Sequence, residues 1–356
     1  MSAEEILAGN EQAAPGRRGL RAWSGVRELV LLPVIAVIVA IGSQIHPAFL
    51  TSYNLLFNVL GASSVLMILV VAESLLIIAG KFDLSLQSTV ALAPMIGVVL
   101  VVPAHAGGWG TEINQYLGLA ALFGVGLIVG AFNGLLVTKL RLNAFIVTLA
   151  MLILLQGLTM GAGSGRTITK LPPAFQYIGN TMPLGIPMEV WIAAIVAIGA
   201  MLFVRFHTVG REIYAIGGNA EAARAAGVKV NRVTLGLFVL ASLLASLAGL
   251  ILTSRIASVS ANQGADMIFT VFAASVIGGI DLNGGKGRLI GAITGVCLIA
   301  VIQNLLVLSE VPSFWVTAIY GAVIMASMML AASAGSFRQI LQAVGNARPD
   351  GSKPLS

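Results

Sequence analysis

Few residues in this chain could do chemistry, and the first is Glu73, an acid inside an otherwise apolar run. Charge at membrane depth is costly, so such an acid marks a functional site by default, and Glu73 could carry a proton. No second acid, lysine or histidine lies deep in another apolar run to complete a relay, which leaves polar packing or path lining as the competing role. Asn58, Asn133, Gln156, Gln303 and Asn304 suit either a hydroxyl-rich path or hydrogen bonds between neighbouring helices. Two segments echo each other, Ala79-Gly80-Lys81-Phe82-Asp83-Leu84-Ser85 and Gly278-Gly279-Ile280-Asp281-Leu282-Asn283. In each, a carboxylate and a small polar residue (Asp83 and Ser85, Asp281 and Asn283) precede an apolar helix, where they could accept bonds from its first free N–H groups. They are expected as helix caps, as helix-start ligand groups near a path, or as both. Lys81 could partner Asp83 locally.

Other chemistry is excluded by what the sequence lacks. There is no G-x-x-x-x-G-K-[ST] loop, since Gly284-Gly285-Lys286-Gly287 has neither the spacing nor the hydroxyl, so ATP is not bound that way. Neither H-E-x-x-H nor G-x-S-x-G occurs, and His46, His105 and His207 all fall in or beside loops. The one cysteine, Cys297, allows no intrachain disulfide and reads as packing. No catalytic residue, metal or cofactor is expected.

The elements that must position these residues are membrane helices. Only 10% of the 356 residues are charged, against roughly 25% in a soluble domain, and the mean hydropathy is +0.97. Apolar runs long enough for a bilayer core of about 30 Å recur along the chain. Spans are predicted near 28–45, 54–79, 86–103, 117–138, 144–161, 189–206, 234–254, 267–280, 288–308 and 314–332. The eighth is too short to cross alone and either extends into its flanks or is a broken helix lining a cavity. The expected fold is an all-α integral membrane protein of about ten transmembrane helices, with the echoed segments pointing to an internal two-fold repeat.

Residues 1–27 and 333–356 are expected as cytoplasmic polar tails around a transmembrane domain at 28–332. No signal-peptide cleavage is expected after the first run. With both ends inside, seventeen of the 20 lysines and arginines fall in cytoplasmic segments, leaving Arg166, Lys170 and Arg255 outside. That asymmetry obeys the positive-inside rule and explains the pI of 9.8 without nucleic acid. The glycine ladders Gly126/Gly130/Gly134 and Gly287/Gly291/Gly295, with Gly157 and Gly161, predict close helix packing. In the long cytoplasmic stretch 207–230, a short helix is predicted from about Ala220 to Ala226, capped by Asn219 and stopped by Gly227. A short charged helix projecting from the membrane is something a soluble motor could grip.

From about residue 28 to 332 the chain resembles the ribose-type permeases of bacterial ABC importers. The resemblance rests on Phe82-Asp83-Leu84-Ser85, on Asn133-Gly134 with Phe145-Ile146-Val147-Thr148-Leu149, on the Gly210 to Gly227 loop, and on Val276-Ile277-Gly278-Gly279 continuing to Gly284-Gly285-x-Gly287. It implies that the loop near Asn219 to Gly227 is the coupling helix that docks into an ABC ATPase subunit. Glu221, Ala222, Ala223 and Gly227 are carried over in that role, with Arg211, Asn219 and Arg224 beside them. It also implies a second permease copy, an extracytoplasmic solute-binding protein and transport of a monosaccharide or related small solute. Two departures from the family pattern, Gly80-Lys81 for a double glycine and Leu86-Gln87 for Val-Gly, bear on the substrate contacts. The rivals are an ion-coupled secondary transporter using Glu73, and an ABC permease for branched-chain amino acids or nucleosides.

Overall fold

The computed structural model describes residues 31–312 and seven positions between 315 and 325. Its helices in chain order are α1 (Leu31–Ile45), α2 (Asn54–Ile78), α3 (Leu86–Val101), α4 (Gln115–Thr138), α5 (Ala144–Ala162), α6 (Pro173–Asn180), α7 (Met188–Phe206), α8 (Thr208–Gly218), α9 (Ala220–Ala225), α10 (Val230–Ile256), α11 (Met267–Ile277) and α12 (Leu289–Leu308). Six of them (α2, α4, α5, α7, α10 and α12) are long and apolar enough to cross a membrane, while α1, α3 and α11 are shorter apolar helices. The chain is therefore an all-α multi-pass membrane protein. The two expected tails lie outside the described residues, and so do twelve of the nineteen positions of the tenth expected span.

α2 is the centre of the bundle. Every residue from Val65 to Ile78 except Met67 is buried, and all of them but Glu73 and Ser74 are apolar, as in a helix enclosed by other helices. Its partners α10, α11 and α12 share one apolar cluster with it, including Phe238, Ala245, Ile251, Ile268, Val296 and Ile299. α7 lies at the periphery, with only Glu189, Ala193 and Ala197 buried. Its exposed Ile195, Ile198 and Leu202, like Ile128 on α4 and Ile153 on α5, present the apolar surface that lipid requires.

Small residues set the closest helix contacts. A Cβ on Gly130 would sit 2.6 Å from Phe238 O and 2.7 Å from the Val239 Cα, so α4 and α10 meet backbone to backbone there. Gly126 faces Ser242 and Ser246, and Gly134 faces Leu235, on the same seam. Gly291 and Gly295 place α12 against the Gly278 and Ala274 carbonyls. Gly157 and Gly161, expected to extend this packing, have nothing within 4 Å. They lie on the half of α5 turned away from α3, so they do not tighten the bundle.

Where helices break, side chains satisfy the freed backbone. Pro94 inside α3 has no N–H to offer the Val90 carbonyl, and Gln263 Nε2 approaches that oxygen at 3.4 Å. The same amide donates to Gly249 O at 3.1 Å and Thr253 Oγ1 at 2.7 Å. Gln263 thereby anchors the non-helical stretch 257–266 inside protein, which is the condition for irregular backbone at membrane depth. α11 follows with 11 residues, about 16 Å of rise and half of what a crossing needs. The expected span 267–280 thus stops at Ile277 as a broken helix, because Gly278 and Gly279 end it, the latter at φ +87°. α2 opens with a π-helical stretch at Asn54–Gly61, and Arg255 Nη2 donates to its Phe57 carbonyl at 3.0 Å.

The α4–α10 seam yields a direct test. Gly130→Val should cost about 1–3 kcal/mol through overpacking, whereas Gly124→Ala, with nothing within 4 Å, should cost nothing. Thermal unfolding of the detergent-solubilised protein measures both, and equal melting temperatures for the two variants would contradict this packing.

Candidate functional site

The loop between α2 and α3 carries the most concentrated buried polarity. Asp83 N–H donates to Glu73 Oε1 at 3.1 Å, turning the chain back onto α2. Asp83 Oδ1 accepts from Ser85 N–H at 2.9 Å and from the Ser85 hydroxyl at 2.5 Å. Asn133 Nδ2 on α4 donates to Ser85 Oγ at 2.8 Å. Thr148 on α5 bonds the Ala144 carbonyl at 2.8 Å and approaches the Phe82 carbonyl at 3.4 Å. Glu73, Asp83, Ser85, Asn133 and Thr148 are all fully buried. Segments separated by more than sixty residues thus converge on one loop. Glu73 Oε2, Asp83 Oδ2 and Asn133 Oδ1 find no hydrogen-bond partner among the described residues. Burial pushes the Asp83 carboxyl up to about 6, against the bonds from Ser85 and Asn133 that favour its charged form.

This geometry corrects several expectations. Asp83 pairs with Ser85 rather than with Lys81, and no salt bridge joins Lys81 to it among the described residues. Glu73 is not a lone acid, because Asp83 lies against it. Neither echoed segment caps its helix through a side chain: Ser85 at the start of α3 and Arg288 at the start of α12 make no side-chain cap bond. The aspartates instead fold their own loops, Asp281 Oδ1 accepting from Asn283 N and Nδ2 at 3.0 Å each. An Asx turn two residues long closes sooner than a cap several residues away.

Of the remaining polar residues, Asn304 bonds one helix to another, whereas Gln156 and Gln303 are exposed. Asn54 and Asn304 exchange amide hydrogen bonds of 2.7 and 2.9 Å, and Asn58 Nδ2 donates to Asn54 Oδ1 at 2.9 Å. Asn54 and Asn304 therefore join the start of α2 to α12, and Asn58 braces Asn54 from within α2. Asn54, their shared partner, was not singled out from the sequence, although its four-residue spacing from Asn58 puts both on one helix face.

The stretch between α7 and α10 forms a helical hairpin. Asn219 caps α9 as expected, its Oδ1 accepting from Glu221 N and Ala222 N at 3.0 Å each. Gly227 follows at φ +88°, the left-handed geometry read for a stop. The sequence reading missed α8, whose Ile213 and Ile216 bury one face while Arg211 stays exposed. Ile216, Ala223 and Val230 form a small core of their own, so Ala223 points inward. Glu221, Ala222 and Arg224 remain exposed. The hairpin meets the second echoed stretch where Tyr214 donates its hydroxyl to Gly287 O at 2.8 Å, and that stretch is tied to the end of α2 by Gly285 N–H donating to Ile78 O at 2.8 Å.

At the other end of the bundle, Arg255 makes a 3.1 Å ion pair with Glu189. Ile168 and Val259 exchange backbone hydrogen bonds of 2.9 Å, tying the stretch after α5 to the stretch before α11.

Comparison with known proteins adds the following. A family model described as the branched-chain amino acid transport system permease component matches residues 55–332. The chain is 36% identical over 324 residues to the ribose import permease protein RbsC of Escherichia coli (strain K12), covering 90% of this chain and 98% of that protein. It is 35% identical over 298 residues to RbsC of Bacillus subtilis (strain 168), covering 83% and 89%. To the L-arabinose ABC transporter permease protein AraH of Azospirillum brasilense it is 31% identical over 323 residues, covering 89% and 91%. No solved structure gives a significant match.

Asp83 supplies a pH test with a definite sign. Its raised affinity for protons stabilises the fold at pH below about 4, and that contribution is lost as pH rises through about 6. Asp83→Asn keeps the oxygen that Ser85 uses and removes the charge, so its melting temperature relative to the native chain should rise between pH 4.5 and 7. A difference constant across that range would show that Asp83 does not titrate there.

Proposed function

The chain belongs to the family of branched-chain amino acid transport system permease components, and on that footing we propose that it passes a monosaccharide or related small polar solute through the membrane of a bacterial ABC importer. The observation that carries the reading is similarity along nearly the whole length of a ribose import permease, reinforced by an arabinose permease at similar coverage. A permease of this kind works with a separate ABC ATPase subunit and a solute-binding protein. The complex is read as holding two permease copies, two ATPase domains and one extracytoplasmic binding protein that supplies most of the specificity. The permease makes and breaks no covalent bond.

The α8–α9 hairpin is the element read as docking into the ATPase. Two features support this. The hairpin has its own small core, so it can move as a unit. It also exposes Arg211, Glu221, Ala222 and Arg224 away from the bundle. Asn219 and Gly227 hold the ends of α9, and Ala223 packs it inward against Ile216 and Val230. Asp83, Ser85, Glu73 and Asn133 are read as the rigid polar support beside the path. Asp281 and Asn283 shape the facing loop, while Asn304 holds α2 to α12 through Asn54, which Asn58 braces from within α2.

A neutral cargo is favoured over an amino acid. The carboxylate of an amino acid calls for a positive group within the bundle, and Arg255 is already committed to Glu189 and the Phe57 carbonyl. Both termini are read as cytoplasmic, on the side of the hairpin, in keeping with the basic residues it carries.

Two experiments test this reading. Single cysteines at Lys229 and Arg166, in a Cys297→Ser background, should react with impermeant reagent from opposite faces of the membrane. Equal labelling from outside would overturn the orientation. Gly227→Asp puts a side chain at φ +88°, at a cost of about 1 kcal/mol or more, and adds charge beside the docking surface. It should leave membrane insertion intact and abolish most ribose or arabinose uptake in vesicles containing the ATPase and binding protein. Wild-type uptake by a normally assembled variant would remove the coupling assignment.

A further inference from the structure

The hairpin does more than sit beside the echoed loops. Gly217, in the last turn of α8, leaves no space for a side chain: a Cβ there would collide with Ile78 O and Gly285 N. Those two atoms form the hydrogen bond that joins the last residue of α2, where the α2–α3 loop begins, to the α11–α12 loop. From the opposite side, a Cβ on Gly284 would lie 2.9 Å from Gly80 Cα and 3.0 Å from Gly217 O. One on Gly285 would lie 2.7 Å from Gly218 Cα. Three separate segments therefore meet backbone to backbone, with no side chain between them.

The glycines at this junction have different reasons for being glycine. Gly80, Gly284 and Gly285 stand at φ +70°, +85° and +70°, conformations that L residues avoid. Gly217 has no such excuse. It lies within a helix, where glycine is a poor choice relative to alanine. The helical neighbour Gly218 has nothing within 4 Å of its own Cβ position. The close approach at Gly217 is thus the physical reason for that residue.

We infer that Gly217 is the positioning residue through which movement of the α8–α9 hairpin is delivered to the paired loops, and so to α3 and the half-length α11. Side chains absorb small displacements by changing rotamer, but a backbone-on-backbone contact has no such slack. Moving the hairpin must therefore move the Ile78–Gly285 bond. Tyr214, one turn earlier, holds the hairpin to Gly287 and keeps the two in register. On the receiving side, the α2–α3 loop is fixed to α2 through Lys81 N to Leu76 O at 2.9 Å and through Asp83 N to Glu73. A push at Gly217 reaches the buried polar chain with little loss.

The inference rests on the reading of the hairpin as the ATPase dock, and one experiment separates the two. The permease, co-purified with its ATPase subunit, is reconstituted in vesicles with loaded solute-binding protein, and solute taken up per ATP hydrolysed is measured. Gly217→Ala should assemble normally and hydrolyse ATP while that ratio falls about fivefold or more. Gly218→Ala should keep the native ratio. Tyr214→Phe adds no bulk and loosens the same joint, so it should lower the ratio in the same direction by about twofold, within the range of coupling changes made by single residues. A native ratio in an assembled Gly217→Ala complex overturns the inference. Should that variant not assemble, a native ratio in Tyr214→Phe overturns it. Failure of the unaltered chain to take up solute with ATP would instead sink the importer reading itself.

Discussion

Inside a bilayer, no water is available to bond a peptide group that its own helix has abandoned, and this constraint organises the whole molecule. Each break in a helix is matched by a side chain sent from another element. Pro94 frees a carbonyl on α3, and Gln263 is there to meet it. The π-helical opening of α2 frees Phe57 O, and Arg255 arrives from α10. The turn after α2 would leave Asp83 N–H without a partner, and Glu73 accepts it. Interior polar residues are thus dictated first by the backbone, and only what remains is free for solute.

The second organising feature is closeness. Lipid tails are as apolar as leucine, so helices gain little from the hydrophobic effect on meeting and depend on packing contact instead. The α4–α10 and α11–α12 seams obtain that contact with glycine, alanine and serine. The same device reappears where the hairpin meets the loops, although there the contacting pieces are turns. Stiffness that in the bundle serves stability serves transmission at that junction.

Local features were legible in the sequence and distant ones were not. The apolar runs located the helices to within a few residues, and Asn219 and Gly227 declared the ends of α9, because a cap and a stop depend only on neighbouring backbone. α8 escaped notice because its apolar face rests on Ile213 and Ile216 among glycines. Lys81 beside Asp83 suggested an ion pair, yet Asp83 accepts from Ser85, whose hydroxyl in turn accepts from Asn133, 48 residues further on. Gln263 carried no local signal at all, although Pro94 inside an apolar run announced that some donor was needed. Of the buried polar chain, the residue types were readable and the pairing was not.

The reciprocal amide pair of Asn54 and Asn304 spans 250 positions of chain. Ribosomes add roughly 5–20 residues per second, so α2 waits on the order of ten to fifty seconds before α12 exists. Throughout that interval the Asn54 amide has only local partners, the Phe49 carbonyl and the Asn58 side chain, and its bonds across to another helix wait on α12. The start of α2 is therefore held only by its own neighbourhood until α12 emerges. Chains truncated before α12 should keep the local bonds of Asn54 to Phe49 and Asn58 and lack the tie that joins α2 to the carboxy-terminal part of the bundle.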